Sequence, residues 1–74
     1  MESKIKSVMA AILGVNQDII VGASSMENID GWDSLMNIKL VIALEEAFGV
    51  EFDEDDIVTM TSYQRIRYIL EQKI

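Results

Sequence analysis

The chain has 74 residues, half of them hydrophobic, and it contains no cysteine, no histidine and no proline. Without cysteine and histidine it lacks a disulfide framework, a Cys/His zinc site, the commonest general base and the strongest side-chain nucleophile of enzymes. A chain this short also leaves little room for a substrate pocket, so we expect one small helical domain, residues 1–74, that is not an enzyme and holds no metal.

The net charge of −7 is concentrated in one part of the chain. Ten of the thirteen acidic residues lie between Glu27 and Asp56, where Lys39 is the only basic residue. Such a surface repels nucleic acid and anionic lipid and attracts basic proteins, although many small proteins are acidic for solubility alone. We expect protein partners, with no nucleic acid and no membrane insertion.

The first predicted helix covers residues 2–13. Ile5, Val8, Met9 and Ile12 recur at the spacing of one helix face, and Gly14 is placed to end the helix in the left-handed conformation. Two early lysines before an apolar run could indicate a signal sequence, but the helical period and the lack of a small-residue cleavage motif argue against it. No apolar run approaches the roughly 20 residues of a membrane span. We therefore expect a cytoplasmic monomer.

A loop of about twenty residues, 15–33, follows, and loops of that length are often functional. We expect one helical turn at residues 25–29. The candidate contacts of the loop with the core are Ile19, Val21, Met26 and Ile29. A second helix begins at Asp33-Ser34 and ends at Phe48, before Gly49.

Two further helices complete the prediction. Asp53 is placed to cap a short third helix, residues 54–58, and Thr61 with Gln64 fits the capping box of a fourth helix that reaches the C-terminus. The predicted fold is all-α: a small four-helix bundle of three longer helices and one short helix, with a long loop between the first and second helices.

The second helix carries two apolar stripes. One is an ordinary core stripe, made of Asn37, Leu40, Val41, Leu44 and Phe48. The other consists of Leu35, Ile38 and Ile42, with charged residues along its edges. This second stripe is either a docking ridge for a partner or a surface covered by the third helix or the loop.

Ser34 lies at the start of this helix, where unpaired N–H groups and the positive end of the helix dipole favour a bound phosphate. Serine and aspartate are also the commonest N-caps, so position alone favours Asp33-Ser34 as a plain cap over a phosphate site.

The stretch Gly31-Trp32-Asp33-Ser34-Leu35, followed by Leu-Glu-Glu-x-Phe at residues 44–48, closely resembles the acyl carrier protein family. The family motif is Asp-Ser-Leu, and its serine receives 4′-phosphopantetheine. Residues 13–15, 23–29 and 61–64 also look like the family pattern, so the resemblance covers essentially the whole chain.

The resemblance implies a carrier of thioester-bound acyl groups for fatty acid, polyketide or related biosynthesis. A phosphopantetheinyl transferase would attach the arm to Ser34, beside Asp33, in a magnesium-dependent reaction. Acyl ligases, synthases or transferases would then dock on the second helix. The docking residues implied are Leu35, Ile38, Lys39, Ile42, Glu45 and Glu46. In similar carriers the acyl chain lies between the second and third helices, which implies Phe52, Ile57 and Met60 as its lining.

Two residues depart from the pattern of carriers in primary fatty acid synthesis. Such carriers usually have acidic residues at the positions of Met36 and Lys39. Because like charges across an interface disfavour wrong partners, we interpret the chain as a specialised carrier with a dedicated loading enzyme.

Three alternatives stay open from the sequence. A peptidyl or aminoacyl carrier would keep the arm but more often has Gly or His at the position of Asp33. An unmodified helical adaptor would use the docking ridge alone. A calcium site at residues 53–56 is disfavoured, because the EF-hand pattern would need Gly and Glu where Val58 and Gln64 stand.

Overall fold

Four helices and no strand make up the fold. A computed structural model of the protein describes residues 1–74, with α1 (Glu2–Leu13), α2 (Ser34–Phe48), α3 (Glu54–Thr59) and α4 (Tyr63–Lys73). The predicted all-α bundle of three longer helices and one short helix is confirmed. None of the four helices combines the length and the apolar content that crossing a bilayer requires.

The core is a single cluster of fifteen buried apolar side chains drawn from the helices and the loops. α1 turns Ile5, Met9 and Leu13 inward at a spacing of four residues, and it packs along α2. α1 and α2 both end at glycines in the left-handed conformation, Gly14 (φ 69°) and Gly49 (φ 66°), where residues with a Cβ are strained. The predicted ends of these helices are confirmed.

The long loop between α1 and α2 is more ordered than the sequence suggests. It begins with a short 3-10 helix, Gln17–Ile19, capped by Asn16, whose side chain accepts a hydrogen bond from the Asp18 N–H. This turn, which was not predicted, directs Ile20 into the core and leaves Ile19 and Val21 exposed, so the expectation that the latter two contact the core was wrong. The predicted turn at residues 25–29 is present, closed by a 3.1 Å bond from the Ile29 N–H to the Ser25 carbonyl.

The start of α4 differs from the prediction. The cap is Ser62, whose hydroxyl accepts a hydrogen bond from the Arg65 N–H at 3.2 Å, so the predicted capping box of Thr61 and Gln64 was wrong. Thr61 instead belongs to the segment before the helix, where its backbone carbonyl accepts a 3.0 Å hydrogen bond from the Met26 N–H. This pairing holds the segment extended against the loop, and the helix begins after it.

Candidate modification and docking site

Ser34 is the first residue of α2, and its side chain is exposed. The cap is Asp33, whose side chain accepts a 2.9 Å hydrogen bond from the Met36 N–H. Capping therefore falls to the aspartate, and the serine hydroxyl is not needed for it. A phosphate on Ser34 would lie at the positive end of a fifteen-residue helix, where the helix dipole favours negative charge.

A buried hydrogen bond fixes the loop immediately before this position. The indole N–H of Trp32 donates to the side-chain carbonyl oxygen of Asn37 at 2.9 Å, and both residues are buried. The bond ties the last residues of the loop to the first turn of α2, on either side of Ser34. Sequence reasoning placed Asn37 on the core stripe without a partner. An amide side chain on an otherwise apolar stripe could have indicated a hydrogen bond, because buried polar groups are almost always paired.

The second apolar stripe of α2 faces solvent. Leu35, Ile38 and Ile42 are 63%, 54% and 50% exposed, so neither α3 nor the loop covers them. Lys39 and Glu46 are also exposed, on the edges of this stripe. These five residues form what we call the docking ridge. An apolar ridge with charged edges has the side-chain spacing of helix-in-groove recognition.

Glu45, the sixth predicted docking residue, is only half-exposed, and its carboxylate has an internal contact. It accepts a hydrogen bond from the Phe52 N–H at 2.9 Å, which fastens the segment after α2 back onto the helix. Of the two adjacent glutamates, Glu46 is therefore the one with a carboxylate free to meet a partner.

The predicted acyl lining does not surround a cavity in this structure. Phe52 and Met60 are buried in the core, and Ile57 is packed against it. The two surface concavities lie elsewhere. One, of about 440 Å³, is formed by Ser7, Val8, Ala11, Ile12, Ala43, Glu46 and Ala47. The other, of about 450 Å³, is formed by Glu2, Ser3, Lys6, Gln17, Asp18, Ile20 and Val21. The lining role of the three residues stays a prediction for the acylated protein.

No residue of α3 is fully buried, and Ile57 packs against the core while polar contacts hold the first turn. Asp53 and Asp56 cap its first turn reciprocally, and the Lys73 ammonium lies 2.9 Å from the Asp56 carboxylate. Chiefly through that hydrogen bond, the pKa of Asp56 is lowered and the pKa of Lys73 is raised. The acidic run that motivated the calcium alternative thus serves helix capping and attachment to α4.

A family model described as "Phosphopantetheine attachment site" matches residues 3–67, a range that includes all of α2 and the exposed serine at its start.

Proposed function

The chain belongs to the family defined by this phosphopantetheine attachment site, and from that premise we propose that it carries acyl groups on an arm attached to Ser34. The family match makes the chain a carrier domain with covalently attached 4′-phosphopantetheine. The arm supplies a terminal thiol that holds the cargo as a thioester. In our proposal residues 1–74 act as one acyl carrier domain without catalytic activity of its own.

The observation that carries the choice of Ser34 is its geometry within the matched range. It combines an exposed hydroxyl, a position at the N-terminus of α2, and a neighbouring cap that leaves the hydroxyl available. A transferase needs access to the hydroxyl, and the attached phosphate needs compensation for its charge. Ser34 provides both.

The partners in this proposal are a phosphopantetheinyl transferase and the acyl ligase, synthase or transferase enzymes that load and unload the arm. They dock on the exposed ridge of α2, because its apolar residues lie within eight residues of Ser34 and are exposed. The acyl rather than peptidyl cargo is supported by Asp33 beside the serine and by the net charge of −7.

The two departures from the pattern of primary carriers differ in exposure. Met36 is half-buried and packs against the core, whereas Lys39 is exposed. Lys39 is therefore the departure that a docking enzyme meets directly. Its charge supports our proposal of a specialised carrier with a dedicated loading enzyme.

The test of this function is the intact mass of the protein after incubation with coenzyme A, magnesium and a broad-specificity phosphopantetheinyl transferase. We expect the wild type to gain one phosphopantetheine and Ser34→Ala to gain none. Ser7→Ala, which removes an exposed serine within α1, is the matched control and should gain one. A folded wild type that gains no mass with several transferases would refute the carrier role. A gain that persists in Ser34→Ala would refute the attachment site alone.

A further inference from the structure

Five of the six basic side chains are engaged within the protein. Arg67 and Lys73 form ion pairs with carboxylates. The other three lie over aromatic rings, namely Lys4 over Phe48, Lys6 over Tyr63 and Arg65 over Tyr68. Lys39 is the sixth, and it has neither kind of contact, although the chain has thirteen acidic residues.

The helix explains why Lys39 is unpaired. The positions that could reach it on α2 lie three and four residues away, and all four are apolar. They are Leu35, Met36, Ile42 and Ala43. Lys39 thus lies on the edge of the docking ridge, with Leu35 one turn before it and Ile42 one turn after it, five residues and about 7.5 Å of helix rise beyond Ser34.

We propose that Lys39 selects partner enzymes whose docking surface places a carboxylate opposite it, inside an apolar site that accepts Leu35 and Ile42. This inference rests on the proposed carrier function and names the chemistry of its partners. When a partner covers the ridge, the ammonium loses water, and a facing carboxylate compensates for that loss. A facing arginine or lysine adds repulsion instead, so enzymes with uniformly basic docking surfaces are disfavoured.

The charges around Lys39 favour a protein partner over a lipid or nucleic acid surface. Glu46 lies on the same edge of the ridge, seven residues further along, and Glu45 lies on the opposite edge. With two carboxylates close by, the single positive charge of Lys39 gives no net attraction to the phosphates of a nucleic acid or a lipid surface. A protein surface that alternates an acid with a base matches the pattern of Lys39 followed by Glu46.

A double-mutant cycle on the loading reaction tests this inference. The probe is a broad-specificity phosphopantetheinyl transferase with a basic docking surface, used unmodified and with each exposed basic residue of that surface replaced in turn by glutamate. Each enzyme replacement changes kcat/KM for the wild-type carrier and for Lys39→Glu. For one replacement, we expect the factor by which kcat/KM rises to be about three to ten times larger with the wild-type carrier than with Lys39→Glu. The unmodified enzyme should load Lys39→Glu faster than the wild type, and added salt should weaken both effects.

Two variants separate a local contact from a change in total charge. Arg65→Glu makes the same change in net charge on the exposed side of α4, and Lys39→Met removes the charge while keeping an apolar stem. We expect no coupling for Arg65→Glu and an intermediate effect for Lys39→Met. Equal responses of Arg65→Glu and Lys39→Glu, or no coupling with any transferase residue, would overturn the inference while loading itself proceeds. If the folded wild type is not loaded at all, the carrier function fails and this inference fails with it.

Discussion

Replacing Asn37 by alanine removes the acceptor of the Trp32 indole N–H, a 2.9 Å bond between two buried residues. The cost exceeds that of a typical hydrogen bond, because the donor remains buried without a partner. An unsatisfied buried donor costs about 1–3 kcal/mol, and we expect Asn37→Ala to lower the free energy of unfolding by about 2 kcal/mol. For a domain of this size, each kcal/mol lowers Tm by roughly 4–8 °C.

Urea unfolding followed by far-UV circular dichroism measures this loss, with Asn16→Ala as the control. Asn16 also accepts one backbone hydrogen bond, but at an exposed position, so its replacement should cost less than about 1 kcal/mol. The double variant Trp32→Phe/Asn37→Ala removes donor and acceptor together, and its loss should be smaller than the sum of the two single losses. Additive losses, or an Asn37→Ala loss no larger than that of the control, would refute the reasoning.

Two other contacts give predictions that the same unfolding assay checks. Glu45→Ala removes the carboxylate that accepts a hydrogen bond from the Phe52 N–H and should lower the free energy of unfolding by about 1 kcal/mol. The control Glu46→Ala, at the next residue, should change it by less than about 0.5 kcal/mol. Equal losses would contradict this role of Glu45. The pKa of Asp56 in the folded protein is below its ordinary value of 3.8. The ion pair with Lys73 therefore stabilises the fold at pH values above 3.8, and this stabilisation is lost as the pH falls through the lowered pKa. Lys73→Met should therefore be less stable near neutral pH and lose less stability than the wild type on acidification; parallel pH profiles would contradict the contribution of the pair.

The parts of the fold that sequence predicts well are those decided by local chemistry. The helices follow from apolar spacing, the ends of α1 and α2 from glycines, and the caps of α2 and α3 from Asp33 and Asp53. Helical spacing also predicts the second stripe of Leu35, Ile38 and Ile42, but it left open whether the third helix or the loop covers it, and only the structure shows that the stripe is exposed.

The parts that escaped prediction depend on contacts that the apolar period of the helices does not describe. Periodicity identifies Ser24, Asn37 and Glu45 only as polar residues, and it does not reveal the backbone or side-chain atoms that each one meets. The shift of the α4 cap to Ser62 depends on the loop pairing with Thr61, which joins residues far apart in the chain. The core positions of Phe52 and Met60 likewise depend on how the segment around α3 folds over α2 and α4.

The assignment of the cap to Asp33 has a consequence for how the two forms of the protein coexist. If the serine hydroxyl capped α2, attachment of the arm would remove that cap and the folding equilibrium would be thermodynamically linked to modification. Because the aspartate caps the helix, attaching an arm to Ser34 would not remove the cap bond from the Met36 N–H to Asp33. If the arm is attached at Ser34 as proposed, the unmodified chain would keep this cap and would not need the arm to hold the start of α2. The supply of cofactor would then set how much of the protein is active and not whether this helix end is capped.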